Sequence, residues 1–391
     1  MKMAVDGNRA GYSISAQDYF AELGLKPADA PKKQTVSDAR AKVDWQAFEF
    51  LLQEAKRDDL EVPWKGHSVK IADGTKLNLP NADELCERFA IPNTKVGPGF
   101  FPQAWMVTLL NSISGQPIAA TVGCHKKSER DLMIELLDSC SPNDVLLLDR
   151  GLGGARVYLE CAKRGIHFVH RLKTTGDRTA LYVQDFIDSK KTSVLYGVDA
   201  VDEDGEWVLL WVRLVKGPID SEGKRIVWAT SLLDEENYSV GAIRELYRRR
   251  WGIETAYGRI KNLLNLEKFH ARTYNGVMQE IFANLTVMSL AAAIDVEASN
   301  KLGTDRRVSA PSFKAVVHVV RRYFSAIAAI ERLTKRKAHE LAQKIIEEAT
   351  LILYKIRPGR SYPRVSKQPI KVHNLCKRRK LDAYNKSRAL K

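Results

Sequence analysis

Residues 68–80 read SVKIADGTKLNLP. Polar and apolar positions alternate up to Asp73 and a glycine follows, which predicts a β-strand that ends in a turn and carries a carboxylate. Residues 143–151, NDVLLLDRG, are an uninterrupted apolar run leading to a second carboxylate, Asp149. A run of this kind predicts a strand buried on both faces. Between them, QAWMVTLLNSIS (103–114) and PIAATVGC (117–124), separated by a Gly-Gln turn, predict two strands in hairpin-like succession. SERDLMIELLDSC (128–140) predicts a helix opened by Ser128, with Glu129 in its first turn. A helix, ARVYLECAKRG (155–165), and a strand, HFVHRLK (167–173), complete the run.

Three strands, helix, strand, helix, strand is the opening of a ribonuclease H-like α/β fold, a mixed sheet flanked by helices. The ends of strands one and four of such a sheet lie side by side at its centre, and Asp73 and Asp149 occupy those places. From about Thr174 to Leu233 the texture changes to TALYVQDF, TSVLYGVDAV, GEWVLLWVRLVKG and KRIVWATSLL, which predicts an all-β insertion. Upstream, SDARAKVDWQAFEFLLQEAKRD (37–58) predicts a helix capped by Ser37, either a packing element or a contact for nucleic acid. Downstream, VMQEIFANLTVMSLAAAIDV and the segment from Phe313 to Tyr354 predict helices. The expected organisation is a helical head, residues 1–64, and a catalytic core, 65–173 with 234–300. The β insertion spans 174–233, and a helical C-terminal region with a basic tail spans 301–391.

Just beyond the insertion lies ELYRRRWGIETAYGRIK (245–261). On one continuous helix, at about 100° per residue, Tyr247, Arg250, Glu254 and Lys261 share a stripe. Leu246, Ile253, Ala256, Ile260, Leu263 and Leu264 gather on another face, suited to packing. A bland reading also fits: a solvated charged face whose basic residues pair with Glu254 at helical spacing.

The 391 residues carry 62 Lys and Arg against 47 Asp and Glu, a formal charge of +15, which favours a polyanionic partner. Nucleic acid fits better than a membrane surface, because no basic amphipathic helix is evident. The apolar run near Leu285 to Ile294 is too short to cross a bilayer. The N-terminus lacks a secretory apolar region, so an intracellular protein is expected. Five dispersed cysteines and eight dispersed histidines give no zinc spacing and no disulfide framework, and His167 and His170 suit core packing. The KRRK of the tail (377–380) reads as a solvated run or a phosphate contact.

Carboxylates that converge repel one another unless cations neutralise them, and hard oxygen donors select Mg²⁺ or Mn²⁺. Two such ions support in-line displacement at a phosphodiester, and the basic residues beside Glu254 suit the phosphates: Arg250 through its fork, Lys261 as a point charge, Tyr247 through its hydroxyl.

The spacing Y-x2-R-x3-E-x6-K, met by Tyr247, Arg250, Glu254 and Lys261, resembles the signature of bacterial insertion-sequence DDE transposases of the insertion sequence four type. ADGTKLNLP around Asp73 and LLLDRG around Asp149 resemble the two Asp motifs of that family, and the β insertion is a family trait. The resemblance implies cut-and-paste transposition: Asp73, Asp149 and Glu254 holding two Mg²⁺ or Mn²⁺ ions, a nick, a hairpin, and strand transfer. It also implies double-stranded DNA partners, namely terminal inverted repeats and target DNA. A homodimer on the paired ends and a bacterial cytoplasmic, nucleoid-associated location follow in the same way. A Trp late in the insertion stacks on a flipped base in family members. Trp228 lies closest to that place, with Trp207 and Trp211 as rivals and core packing as the alternative for each. Arg150 either contacts phosphate or pairs with an acid of the site, and Trp251 lies near the stripe. The other readings are a nuclease of the same fold and a non-catalytic DNA-binding regulator.

Overall fold

The computed structural model describes residues 12–356 except 61, 95–96, 177–178, 221, 260–262, 265 and 304–308; at 12, 58, 94, 98 and 253–255 it describes the backbone alone. Lys261 and the basic tail therefore lie outside the described residues.

The chain opens with α1 (Tyr12–Glu22), α2 (Lys33–Ala41) and α3 (Gln46–Glu54). The single helix expected from Ser37 to Asp58 is broken between α2 and α3, and Ser37 sits inside α2. The break is held from both sides. The Asp44 carboxylate accepts the Gln46 N–H (2.9 Å), and Asn275 Oδ1 accepts that of Trp45 (2.8 Å).

Next come β1 (Val69–Asn78), α4 (Asp83–Phe89), β2 (Gln103–Asn111), β3 (Pro117–Cys124), α5 (Glu129–Leu136), β4 (Val145–Leu148), α6 (Ala155–Lys163) and β5 (His167–Arg171). β1 runs on through Gly74 instead of turning there, because residues 70–78 pair without interruption with β2. Ser128 caps α5, its hydroxyl accepting the Arg130 N–H at 3.2 Å. The insertion contributes α7 (Leu181–Asp188), β6 (Ser193–Val201), β7 (Trp207–Ile219) and β8 (Arg225–Thr230). TALYVQDF is thus largely helical: Val183 and Phe186, three apart, bury on one face, and tertiary packing overrides the β preference of its residues.

These eight strands form one sheet in the order β3-β2-β1-β4-β5-β8-β7-β6. β1, β4 and β5 are parallel, and every other pairing is antiparallel. The strand order around β1 and β4 is the ribonuclease H-like one, and the insertion extends the same sheet beyond β5. Helices cover both faces. Ala72, Leu146, Leu148, Phe168 and Leu214 pack with α5, α6 and α7 on one side. Ile71, Leu147, Val169 and Val215 pack on the other with α8 (Val240–Arg248), α9 (Gly252–Gly258) and α10 (Tyr274–Leu302).

α10 is long and apolar enough to cross a membrane by length and composition, a longer stretch than the run read from the sequence, and 89% of its apolar window is buried inside the protein. Two of its buried polar side chains reach the head. Gln279 donates to the Arg40 and Val43 carbonyls (3.0 and 2.7 Å), and the buried Glu280 pairs with Arg40 (3.3 Å). Trp45 stacks on Phe282, with centroids 5.3 Å apart. α11 (Phe313–Ala328) and α12 (Lys335–Ala349) close the described structure against α10.

Candidate active site

In the parallel register Ala72 faces Leu148, so the next residue on each strand, Asp73 and Asp149, emerges side by side at the centre of the sheet. Both are half-buried. The Asp73 carboxylate accepts the Gly74 N–H at 2.8 Å.

The stretch expected as one helix is divided. α8 ends at Arg248, a 3-10 turn spans Arg249–Trp251, and α9 follows. The tighter winding turns the register by roughly 60° over three residues, so the uniform stripe does not persist. Two tyrosines fix the position of this broken helix. Tyr247 on α8, only 6% exposed, donates its hydroxyl to the carbonyl of Leu148, the residue before Asp149 (3.1 Å). Tyr257 on α9 donates to the carbonyl of Asp73 itself. Burial pushes both phenols above their ordinary range, so both stay protonated donors. The backbone of Glu254 lies on α9 between these anchors, and its side chain is outside the described residues.

This geometry corrects the expected role of Tyr247, whose hydroxyl is buried and committed to the backbone instead of facing phosphate. Tyr247→Phe is expected to cost about 1 kcal/mol of stability in urea unfolding while leaving DNA affinity unchanged; a loss of affinity at unchanged stability would restore the phosphate role. Arg250 is buried, its guanidinium 5.7 Å from the Tyr247 ring centroid. Arg150 is exposed, and its charge acts on Tyr247.

Trp228 is 2% exposed and packs against Tyr247 with centroids 5.5 Å apart. A Cβ on Gly217 would stand 2.7 Å from its ring, so in this conformation neither face is open to a base. Trp207 and Trp211 are 75% and 57% exposed on β7, and Trp251 is 64% exposed beside α9.

Beneath the loop after Asp149, His170 is buried, with Nδ1 2.6 Å from the Tyr158 hydroxyl. A Cβ at Gly153 would stand 2.3 Å from that ring, so glycine lets the loop lie flat on it. Burial lowers the His170 pKa to about 4. An unfolded histidine titrates near 6.5, so between about 6.5 and 4 the unfolded chain binds the extra proton and stability falls as pH falls. Unfolding midpoints followed across that window should show the loss, and His170→Gln should flatten it.

Glu129, half-buried at the start of α5, also faces this point. Burial raises its pKa, followed by the charge of Asp73, with Asp149 adding to it and Lys76 opposing. In the sequence Glu129 reads only as a first-turn acid of the helix that Ser128 opens. The signal that marks it is the glycine close behind each aspartate, at positions 74 and 151. Tyr257 is a second such residue, three after Glu254, a spacing that puts both on one side of a helix.

Among the described residues no group of three Asp, Glu, His or Cys gathers closely enough to hold a metal ion. The donors that line the point are nevertheless carboxylates, half-buried and mutually repelling, and this set fits a hard divalent cation.

A ribonuclease H-like sheet with two aspartates side by side where the pairing of its parallel strands β1 and β4 ends, and a glutamate-bearing broken helix pinned to both strands, defines the class of DDE phosphoryl-transfer domains. Residues 64–290 match the family described as "Transposase DDE domain", and the chain belongs to that family. It is similar to the transposase InsG for insertion sequence element IS4 of Escherichia coli (strain K12), with 21% identity over 319 residues, covering 78% of this chain and 69% of that protein. Among solved structures it is similar to the piggyBac transposase in a synaptic complex with hairpin DNA, at 12% identity and a TM-score of 0.40; the match covers 71% of this chain and 57% of that one.

Proposed function

We propose that this protein cuts DNA at the ends of a mobile element and joins the freed ends to target DNA. The observation that carries the reading is the meeting of Asp73 and Asp149 where the parallel pairing of β1 and β4 ends, with the broken helix of Glu254 tied to the backbone of both strands. Asp73, Asp149 and Glu254 would hold divalent ions, Mg²⁺ or Mn²⁺, which when bound supply an activated water or 3′-hydroxyl and stabilise the leaving oxygen. Arg250 and Lys261, next to Glu254 in sequence, would balance the charge of the scissile phosphate, and Arg150 that of a neighbouring one. The net charge of +15 supports a polyanionic partner. The partners in this reading are terminal inverted repeats and target DNA, bound by a homodimer in the bacterial cytoplasm. The steps are a nick, a hairpin at the end, reopening and strand transfer.

Incubation with Mg²⁺ and DNA carrying the element's own ends should give nicks, hairpins and joined products. Glu254→Gln should give none of them. Nicks without joined products would point instead to a nuclease of the same fold, and full activity in Glu254→Gln would remove that residue from the centre.

A further inference from the structure

The hairpin of β6 and β7 leaves one face bare. Trp207, Leu209 and Trp211 alternate along β7 on the side of the sheet where Val215 packs with α8, and Leu195 and Val201 of β6 stand on the same side, opposite Arg213 and Trp207. These five apolar side chains are exposed, whereas Arg213 is fully buried and donates to the Tyr238 carbonyl just before α8. Gly197 keeps the shelf flat, since a Cβ there would stand 2.8 Å from the Leu209 side chain. Soluble chains seldom leave such a patch open, and tryptophans are enriched where protein surfaces bind one another.

Charge selects the occupant. Between residues 195 and 211 stand five acids, Asp199, Asp202, Glu203, Asp204 and Glu206, and no Lys or Arg, in a chain of net charge +15. Nucleic acid or an anionic lipid surface would meet those carboxylates, so the complement is a protein surface with basic residues around apolar ones. This chain carries one. Ile330 and Leu333, between α11 and α12, are exposed beside the exposed Arg332, Lys335, Arg336 and Lys337. The two patches lie toward opposite ends of one sheet face: β6 is the last strand at one edge, and α10, against which α11 and α12 pack, lies over β3 at the other. A two-fold axis between them seats each shelf on the partner's basic turn, so both contacts form together.

We propose that the open face of β6 and β7 docks a second copy of this chain, on the turn at residues 330–337. The inference rests on the reading that two copies act together on paired ends, and it names the surface they share. The test is the mass of the full-length chain over a concentration series, alone and with duplex DNA carrying an end of the element. Asp204→Lys/Glu206→Lys makes the rim of the shelf basic. Lys335→Glu/Lys337→Glu makes the turn acidic, in the first turn of α12, where acids suit the helix. Each variant alone is expected to self-associate at least about tenfold more weakly than wild type, because like charges then face each other at both contacts. An equimolar mixture of the two should recover the wild-type dimer, since opposite charges meet again at both contacts, and recovery also shows that both variants fold. Dimers that persist in each variant, or a mixture that stays apart, would overturn this surface and leave a homodimer through another one standing. A wild-type chain that stays single with and without DNA would overturn the homodimer as well. Trp211→Ser chains that still pair but hold the duplex less tightly would assign the shelf to DNA and overturn the proposal.

Discussion

Lys70→Met is expected to lower the free energy of unfolding by about 3–5 kcal/mol. Lys70 on β1 and Asp144, just before β4, form an ion pair whose side chains are only 3% and 5% exposed. Asp144 also accepts the Ser141 N–H (2.7 Å), so its carboxylate is built into the turn that starts β4. Methionine fills the lysine volume but leaves that carboxylate buried without its cation. The double variant Lys70→Met/Asp144→Asn removes the stranded charge and keeps a side-chain acceptor, so it should recover much of the loss. Urea unfolding of the three chains checks this. A Lys70→Met chain within 1 kcal/mol of wild type would mean that the pair contributes nothing net, as buried pairs sometimes do.

The largest effect on activity is expected at Asp149. Asp149→Asn should reduce strand cleavage by roughly 1,000-fold or more, equivalent to about 4 kcal/mol in the barrier. Its stability should hold or rise, because the substitution relieves repulsion from Asp73 and Glu129. The opposed directions of the two effects separate a ligand from a packing residue: a variant that lost activity only as it lost its fold would identify Asp149 as structural. Cleavage above a tenth of wild type in a folded variant would exclude it from the reaction.

The core of the fold is readable because its central strands hold apolar runs that lead to acids and the helix at 129–136 carries its own cap, Ser128. The strand pattern puts Asp73 and Asp149 on neighbouring strands, and the observed register, Ala72 opposite Leu148, sets them side by side. What could not be read depends on contacts distant in sequence. The break before α3 needs Asn275, more than two hundred residues away. The burial of Tyr247 needs the Leu148 carbonyl, and its signature spacing looks the same whether the hydroxyl meets phosphate or backbone. α7 is helical because Val183 and Phe186 find a core that local propensity does not announce. Trp228 and Trp211 sit in similar β-type runs, yet one is enclosed and the other open, because β7 extends past the helices that cover its inner half.

The weld between the head and α10 bears on how this chain can be dissected. Gln279 and Glu280 lie deep in the protein; Gln279 donates to the Arg40 and Val43 carbonyls, and Glu280 pairs with Arg40 while also accepting the His270 and Ala271 N–H groups. A fragment beginning after the head would leave the Gln279 amide without those acceptors and the Glu280 carboxylate without its cation, with Phe282 bare beside them. Such a truncation would arrive as an aggregate and not as an isolated catalytic module, so the roles of the head are better dissected by point substitutions on its outer face than by cutting it away.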